Sequence, residues 1–244
     1  MKRAEVCALI EEIGIVPAIR VSSGADAHFA AEAVTRGGIP IVEITLTVPG
    51  AVDLIGHLAK HNAKTVVGAG TVLDTETARR CVDAGASFIT SPGFDLEMVH
   101  FAEKADVAVL PGALTATEVI AAWKAGADFV KVFPCAPVGG DSYIKALHTS
   151  LPETPLIAAG GVNQQTAGAF IVSGATAIGV GAELIPDEAI SRRQPERIRE
   201  LAQRFLGFVK EARQRVVALK LKTVVRRYEV TDECEEVEAR PRDN

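Results

Sequence analysis

Short apolar runs rich in valine, isoleucine and alanine alternate along the chain with longer segments of mixed polarity. Apolar runs of this length, bounded by Gly, Pro, Ser or Thr, are typical of buried β-strands, and the longer segments between them are typical of helices. The pattern predicts a short helix over about residues 3–12 and then eight strands, each followed by a helix. The predicted strands are 15–20, 39–45, 65–69, 87–90, 107–110, 128–133, 156–159 and 177–180.

A faint internal repeat supports this alternation. Glycines that suit helix ends stand before every second strand, at 37/38, 85, 126 and 174, and the intervals are 48, 41 and 48 residues. Strict alternation of strand and helix implies a parallel sheet. Eight such units imply closure into a (β/α)₈ TIM barrel. An open, doubly wound sheet is the alternative, but no GxGxxG sequence opens the first helix.

The C-terminal part of the chain departs from the pattern. A longer helix is predicted from Pro195 to about residue 213, and residues 1–214 are predicted to form the barrel domain. Residues 215–244 begin apolar and basic and end acidic, so we interpret them as a C-terminal appendage. A further helix, a strand on a neighbouring subunit and a partly disordered tail all remain open for it.

One predicted strand carries a charge at its centre. Alternation along residues 128–133 places Lys131 on the same face as Phe129 and Phe133, and both faces of the strand are apolar. A lysine in such a place must reach a carboxylate or water, or lose its proton. A neutral, desolvated lysine is a nucleophile for carbonyl carbons, whereas a structural ion pair would be catalytically inert.

The same alternation predicts which other side chains point into the barrel. Active sites of these barrels lie at the carboxyl ends of the strands. The side chains predicted to point inward are Ala18, Arg20, Ile41, Glu43, Thr45, Val67, Ala69, Thr71, Phe129, Lys131 and Phe133. The polar members should therefore converge on one cavity.

The converging groups suit chemistry on a keto acid. Lys131 could form a Schiff base with a ketone, and Glu43 could move protons between the intermediates. Arg20 could bind a carboxylate through two hydrogen bonds, and Thr71 could add a hydroxyl donor. A buried Glu43–Lys131 ion pair that only supports the barrel is the alternative.

Glycine turns after the last two predicted strands suggest an anion site. Gly160-Gly161 and Gly179-Val180-Gly181 lie where barrels frequently bind phosphate through backbone N–H groups. Tight turns alone would also account for these glycines. Two other functions thus stay open: a phosphate-binding isomerase or epimerase, and a non-catalytic barrel that acts as an assembly module.

Composition and charge argue against other partners. The net charge is −5 and aromatic residues make up only 5%, so no nucleic-acid partner is expected. The uncharged run 154–182 is rich in glycine, and we interpret it as strand, helix and strand, not as a membrane span. Four widely spaced cysteines without zinc spacing predict reduced thiols in the cytoplasm. His57 and His61 stand four apart on a solvent-facing helix, and we expect no metal there.

A series of motifs resembles a known family over roughly residues 5–210. The chain is similar to the class I 2-keto-3-deoxy-6-phosphogluconate (KDPG) aldolases, often grouped with 4-hydroxy-2-oxoglutarate (KHG) aldolases. Each motif is weak alone, but together, in family order and spacing, they are highly specific. They are EITLTVP from Glu43, GAGTVL from Gly68, SPG from Ser91, LPG from Leu110, KVFP from Lys131, GGV from Gly160 and GVG from Gly179.

The resemblance implies a (β/α)₈ barrel, usually a homotrimer, that works in carbohydrate metabolism such as the Entner–Doudoroff pathway. It implies cleavage of a keto-deoxy sugar acid to pyruvate and an aldehyde, with no cofactor and no metal. Lys131 is implied as the Schiff-base lysine and Glu43 as the general acid and base. The pyruvyl carboxylate is implied to lie near Arg20 and Thr71.

The family pattern also places Pro92 and Phe133 in the pocket wall. Some members carry their arginine on the loop after the second strand, where this chain has Thr47. Two hydroxyl residues common in the family are replaced by Ala159 and Ala182. These losses weaken the case for a phosphorylated aldehyde half and favour another one, such as glyoxylate.

Overall fold

A computed structural model describes residues 1–62 and 64–238, with side chains described through residue 219 and at 221. The strands of this part of the chain are β1 (Ile15–Ile19), β2 (Ile41–Thr45), β3 (Val66–Gly70), β4 (Phe88–Thr90), β5 (Ala108–Leu110), β6 (Gly112–Ala113), β7 (Val130–Val132), β8 (Leu156–Ala159) and β9 (Ala177–Val180). They form one parallel sheet in the order β5-β4-β3-β2-β1-β9-β8-β7-β6.

The sheet is a barrel because its two end strands are joined by a single residue, Pro111. β5 pairs with β4 and β6 pairs with β7, so together they occupy one of eight strand positions. Proline has no N–H to give to the ladder, which accounts for the break in this strand. Its carbonyl still accepts a 2.9 Å hydrogen bond from the Lys131 backbone N–H. The predicted (β/α)₈ fold is confirmed.

Helices follow the strands as the pattern predicts. They are α1 (Arg3–Ile13), α2 (Gly24–Arg36), α3 (Ala51–His61), α4 (Thr75–Ala84), α5 (Leu96–Lys104), α6 (Ala116–Lys124), α7 (Asp141–Ser150), α8 (Ala167–Val172), α9 (Asp187–Ser191) and α10 (Pro195–Glu238). A capping box formed by Thr115 and Glu118 opens α6. The five-residue helix α9 was not predicted.

Helix α1 closes the barrel at the amino ends of the strands. Its Val6 and Ile10 are fully buried in one cluster with inward side chains such as Phe88 and Phe129. Arg3 also donates to the Asp128 carboxylate at 2.9 Å, which fixes α1 against the start of β7. Because this end is plugged, a ligand can enter only at the carboxyl ends of the strands.

The last helix differs from the prediction. We expected a helix to about residue 213 and left the structure of the appendage after it undecided. In the structure, α10 continues without a break to Glu238. The strand alternative is therefore wrong as far as that residue, and residues 239–244 lie outside the described part. α10 packs against the barrel where Gly37 meets Ala202, since a Cβ at Gly37 would lie 2.5 Å from the Ala202 Cβ. The division into 1–214 and 215–244 stays a prediction.

No helix in the described part of the chain is long and apolar enough to cross a membrane. The uncharged run 154–182 contains β8, α8 and β9, which is the predicted order of strand, helix and strand.

Candidate active site

A cavity of about 570 Å³ opens at the carboxyl ends of the strands. Its lining includes every residue predicted for the site: Arg20, Glu43, Thr71, Pro92, Lys131, Phe133, Gly160, Gly161, Gly179 and Gly181. Ala18, Ala159, Val162, Ala182 and Glu183 complete the lining. The structure thus brings the predicted residues together around one cavity.

Lys131 lies at the centre of this cavity on β7. Its Nζ donates to the Glu43 Oε2 at 3.4 Å and to the Thr90 Oγ1 at 3.3 Å. The ammonium lies 5.7 Å from the centre of the Phe133 ring, and the side chain is only 13% exposed. The predicted ion pair therefore exists, and it opens on a cavity that a substrate could fill.

Glu43 is held deep in the barrel, with its side chain 3% exposed. It lies on β2, in register with Ala18 of β1 and Gly68 of β3. The carboxyl occupies space that Gly70 leaves free, because a Cβ on Gly70 would lie 2.0 Å from the Glu43 Oε1. The glycine at the end of β3 thus gives the carboxylate room beside Lys131.

The predicted orientation of β3 is wrong for two residues. Val67 and Ala69 face the helices and belong to the outer core, whereas Val66 belongs to the inner cluster. Gly68 and Gly70 occupy the inward positions. Because glycine has no side chain, a hydropathy pattern does not show that these positions face inward. Thr71 still lines the cavity, since its backbone takes a φ of 61° just after the strand and breaks the alternation.

Arg20 lies at the exposed rim of the cavity, just after β1. Its Nη1 donates to the Thr47 Oγ1 at 3.4 Å and its Nη2 donates to the Thr71 Oγ1 at 3.3 Å. Thr47 also shares a 2.8 Å hydrogen bond with Thr45. These hydroxyls orient the guanidinium, whose planar set of donors matches a carboxylate.

Thr90 is the contact that sequence reasoning missed. It is the last residue of β4, 1% exposed, and its hydroxyl accepts from the Lys131 ammonium. Phe88, two residues earlier, belongs to the inner cluster. Extending the alternation to this strand would have found Thr90.

The wall formed after β8 and β9 is made mainly of small residues. Ala159, Gly160 and Gly161 lie on one side, and Gly181, Ala182 and Glu183 lie on the other. Gly160 needs to be glycine, because its φ is 83° and a Cβ would lie 2.8 Å from the Pro134 Cα. Glu183 was not predicted as a lining residue.

Cys135 lies just after β7 and does not line the cavity. Its thiol is buried, and burial raises the pKa to about 11. A thiol in this state is a poor nucleophile.

The histidine rings of α2 and α3 lie close together and are tilted against each other. The ring centres of His57 and His61 are 4.7 Å apart, and those of His28 and His57 are 5.4 Å apart. Within the described residues, no group of three or more His, Cys, Asp or Glu side chains is arranged to hold a metal ion.

Residues 6–201 match the protein-family profile described as "KDPG and KHG aldolase". The chain belongs to this family. Its members are aldolases, which are aldehyde-lyases, so the predicted resemblance is confirmed.

Relatives of this aldolase have similar length and fold. A Pseudomonas aeruginosa protein named 2-dehydro-3-deoxy-phosphogluconate aldolase is 32% identical over 209 residues, which cover 84% of this chain and 94% of the relative. A Legionella pneumophila KDPG aldolase structure has 29% identity and a TM-score of 0.75, and the match covers 81% of this chain and 96% of that one. In that Legionella structure, pyruvate is captured as a covalent carbinolamine intermediate.

A second structure resembles the aldolase over more of its length. It is a chain of a cube-shaped protein cage designed by fusing symmetric oligomeric domains. The identity is 27% and the TM-score 0.78, and the match covers 95% of this chain and 88% of that one.

Proposed function

We propose that this aldolase cleaves a 4-hydroxy-2-oxo acid to pyruvate and an aldehyde through an imine on Lys131. Such acids include the 2-keto-3-deoxy-6-phospho sugar acids and 4-hydroxy-2-oxoglutarate. The observation that carries the proposal is the Lys131 amine, which faces a cavity 3.4 Å from the buried Glu43 carboxylate. The carbinolamine described for the Legionella relative supports the same chemistry.

The cavity offers a route for each bond change. Glu43 accepts a proton from the Lys131 ammonium, and the free amine attacks the C2 ketone to form a carbinolamine. Glu43 returns a proton as water leaves, which forms the iminium. Glu43 then takes the proton of the C4 hydroxyl as the C3–C4 bond breaks, and the electron pair of that bond moves into the enamine. The aldehyde leaves, the enamine is protonated at C3, and water releases pyruvate.

Arg20 and Thr71 are placed to receive the C1 carboxylate. The guanidinium is already oriented by hydroxyls at 3.3 and 3.4 Å, so little ordering is needed when a carboxylate binds. Pro92 and Phe133 form the apolar sides of the same space. Thr90 contributes a polar contact that holds the lysine amine toward the cavity.

Borohydride trapping tests this proposal directly. Borohydride reduces an iminium to a stable amine, so incubation with pyruvate and borohydride should add one reduced pyruvate to Lys131, detected by mass spectrometry of peptides. Lys131→Ala should lose both the adduct and the cleavage of substrate. Lys145→Ala, on the exposed face of α7, is the matched control and should retain both.

The alternatives give different results. A phosphate-binding isomerase or epimerase and a non-catalytic assembly module need no imine, so neither would form the adduct. Absence of an adduct at saturating pyruvate would refute the Schiff-base mechanism. Glu43→Gln should slow adduct formation strongly but leave the fold intact, since the amide has nearly the same shape.

We further propose a homotrimer and a cytoplasmic location. The family resemblance supports the trimer, and the cage structure built from symmetric oligomeric domains agrees with an oligomer. Light scattering coupled to size-exclusion chromatography should give three times the chain mass, and a monomer or dimer would contradict it.

A further inference from the structure

The Lys131 ammonium has two hydrogen-bond acceptors that differ in what else they can reach. The Glu43 carboxylate accepts from Nζ at 3.4 Å, and the Thr90 hydroxyl accepts from it at 3.3 Å. Glu43 lines the cavity, so it can contact both the lysine and a bound substrate. Thr90 is 1% exposed and is not one of the residues that line the cavity. Its hydroxyl can therefore serve the nitrogen but not the carbon chain of the substrate.

The position of the Thr90 hydroxyl is fixed by the sheet. Strand β4 pairs with β3 and with β5, and the Thr90 carbonyl accepts a 3.1 Å hydrogen bond from the Val72 N–H. Among the residues that the structure describes, Lys131 is the hydrogen-bond partner of the Thr90 Oγ1. A buried hydroxyl without a partner is costly, so this hydroxyl stays bonded to the lysine nitrogen as the nitrogen changes its bonding state.

Imine formation reduces the number of hydrogens on that nitrogen. The ammonium has enough N–H groups for both acceptors, whereas the iminium has a single N–H. If the Glu43 carboxylate accepted this N–H, it would be occupied when the substrate needs a base. As a base, it could also remove the proton and leave a neutral imine, which withdraws electrons poorly. A hydroxyl accepts an N–H but is too weak a base to remove its proton.

We propose that Thr90 accepts the N–H of the Lys131 iminium and so leaves the Glu43 carboxylate free to move protons on the substrate. This inference rests on the proposed aldolase function. As the C3–C4 bond breaks, Glu43 takes the proton of the C4 hydroxyl, and the electron pair of that O–H bond forms the aldehyde C=O bond. The C3–C4 pair forms the C2=C3 bond of the enamine, and the π pair of the C=N bond moves onto the nitrogen. The N–H proton stays on the nitrogen, bonded to the Thr90 Oγ1.

Pyruvate alone tests this role, because its iminium loses a methyl proton to a base and becomes the same enamine. On the full-length chain, borohydride trapping at saturating pyruvate measures the iminium. Exchange of the methyl hydrogens in heavy water, followed by NMR, measures the enamine. Thr90→Val keeps the shape of the side chain and removes the hydroxyl. Its adduct yield should stay within about twofold of wild type, and its exchange rate should fall about 10-fold to 100-fold, as expected for loss of a hydrogen bond to a charged group.

Three further variants separate the hydroxyl from its surroundings. Thr90→Ser keeps a hydroxyl and should exchange within about threefold of wild type. Thr90→Ala also lacks the hydroxyl, should match Thr90→Val, and carries the test if the valine variant does not fold. Thr65→Val is the matched control, since it removes a buried hydroxyl that is bonded to the Thr35 hydroxyl at 2.9 Å, just before β3. It should leave both the adduct yield and the exchange rate unchanged.

The outcomes distinguish this inference from the proposed function. Exchange by Thr90→Val within about threefold of wild type would overturn the inference. Equal losses of adduct and exchange would overturn it as well, because they would show a general displacement of Lys131. Equal losses of exchange in Thr90→Ser and Thr90→Val would do the same, since the shape and not the hydroxyl would then matter. A wild-type protein that forms no adduct would instead reject the proposed function itself.

Discussion

Gly70→Ala tests whether the position of Glu43 matters for catalysis. Gly70 has a φ outside the left-handed region, so alanine fits its backbone without strain. The new Cβ would lie 2.0 Å from the Glu43 Oε1 and 2.5 Å from its Cδ and Cγ. The substitution therefore acts through the carboxylate and not through the chain.

The size of the displacement follows from these contacts. An ordinary contact begins at 3.4 Å, so the carboxylate must move by about 1.4 Å. That movement is large beside the 3.4 Å that separates Glu43 from the Lys131 Nζ. Misplacing a catalytic group by about 1 Å can cost about 100-fold in rate, and we expect kcat to fall by that order. Overpacking the buried site should also cost about 1–3 kcal/mol of unfolding free energy.

The assay follows pyruvate release at saturating substrate, together with thermal unfolding. Gly207→Ala is the matched control, because a Cβ there would meet no heavy atom within 4 Å and the residue lies on α10. It should leave kcat unchanged and stabilise the fold by up to about 1 kcal/mol, as alanine favours a helix interior. A folded Gly70→Ala protein with kcat within about threefold of wild type would refute the assigned role of Glu43.

Three further predictions concern the carboxylate site, a helix cap and a thiol. Arg20→Lys keeps the charge but loses the paired donors, so KM should rise about tenfold with a smaller change in kcat; an unchanged KM in steady-state kinetics would argue against carboxylate binding there. Thr115→Ala removes the hydroxyl that accepts from the Glu118 N–H at 3.3 Å. It should lower the unfolding free energy by about 1 kcal/mol, seen as a lower urea midpoint, and an equal midpoint would contradict the cap. Burial raises the pKa of Cys135 to about 11. At pH 8 only about 0.1% of it is thiolate, so iodoacetamide should spare it in the folded protein; labelling should rise with pH, and rapid labelling at pH 8 would contradict the burial.

The success of sequence reasoning depended on the strand. On β1, β2 and β7 the alternation correctly placed Arg20, Glu43 and Lys131 at one cavity. Each of these strands has a polar residue at a position that a hydropathy pattern can detect. On β3 two inward positions are glycines, and valine stands on both faces of the strand. The hydropathy pattern therefore could not distinguish the faces, and the predicted orientation was shifted by one residue. Glycine carries no side chain to mark a face.

The sequence by itself determined the order of strands and helices, the parallel barrel and the family, because strand pleating, helix capping and motif spacing are local properties. Only the tertiary structure decided that Gly70 makes room for Glu43 and that Glu183 lines the far end of the cavity. Those contacts join segments far apart in the chain. They depend on register and on the curvature of the closed sheet, which no short stretch of residues encodes.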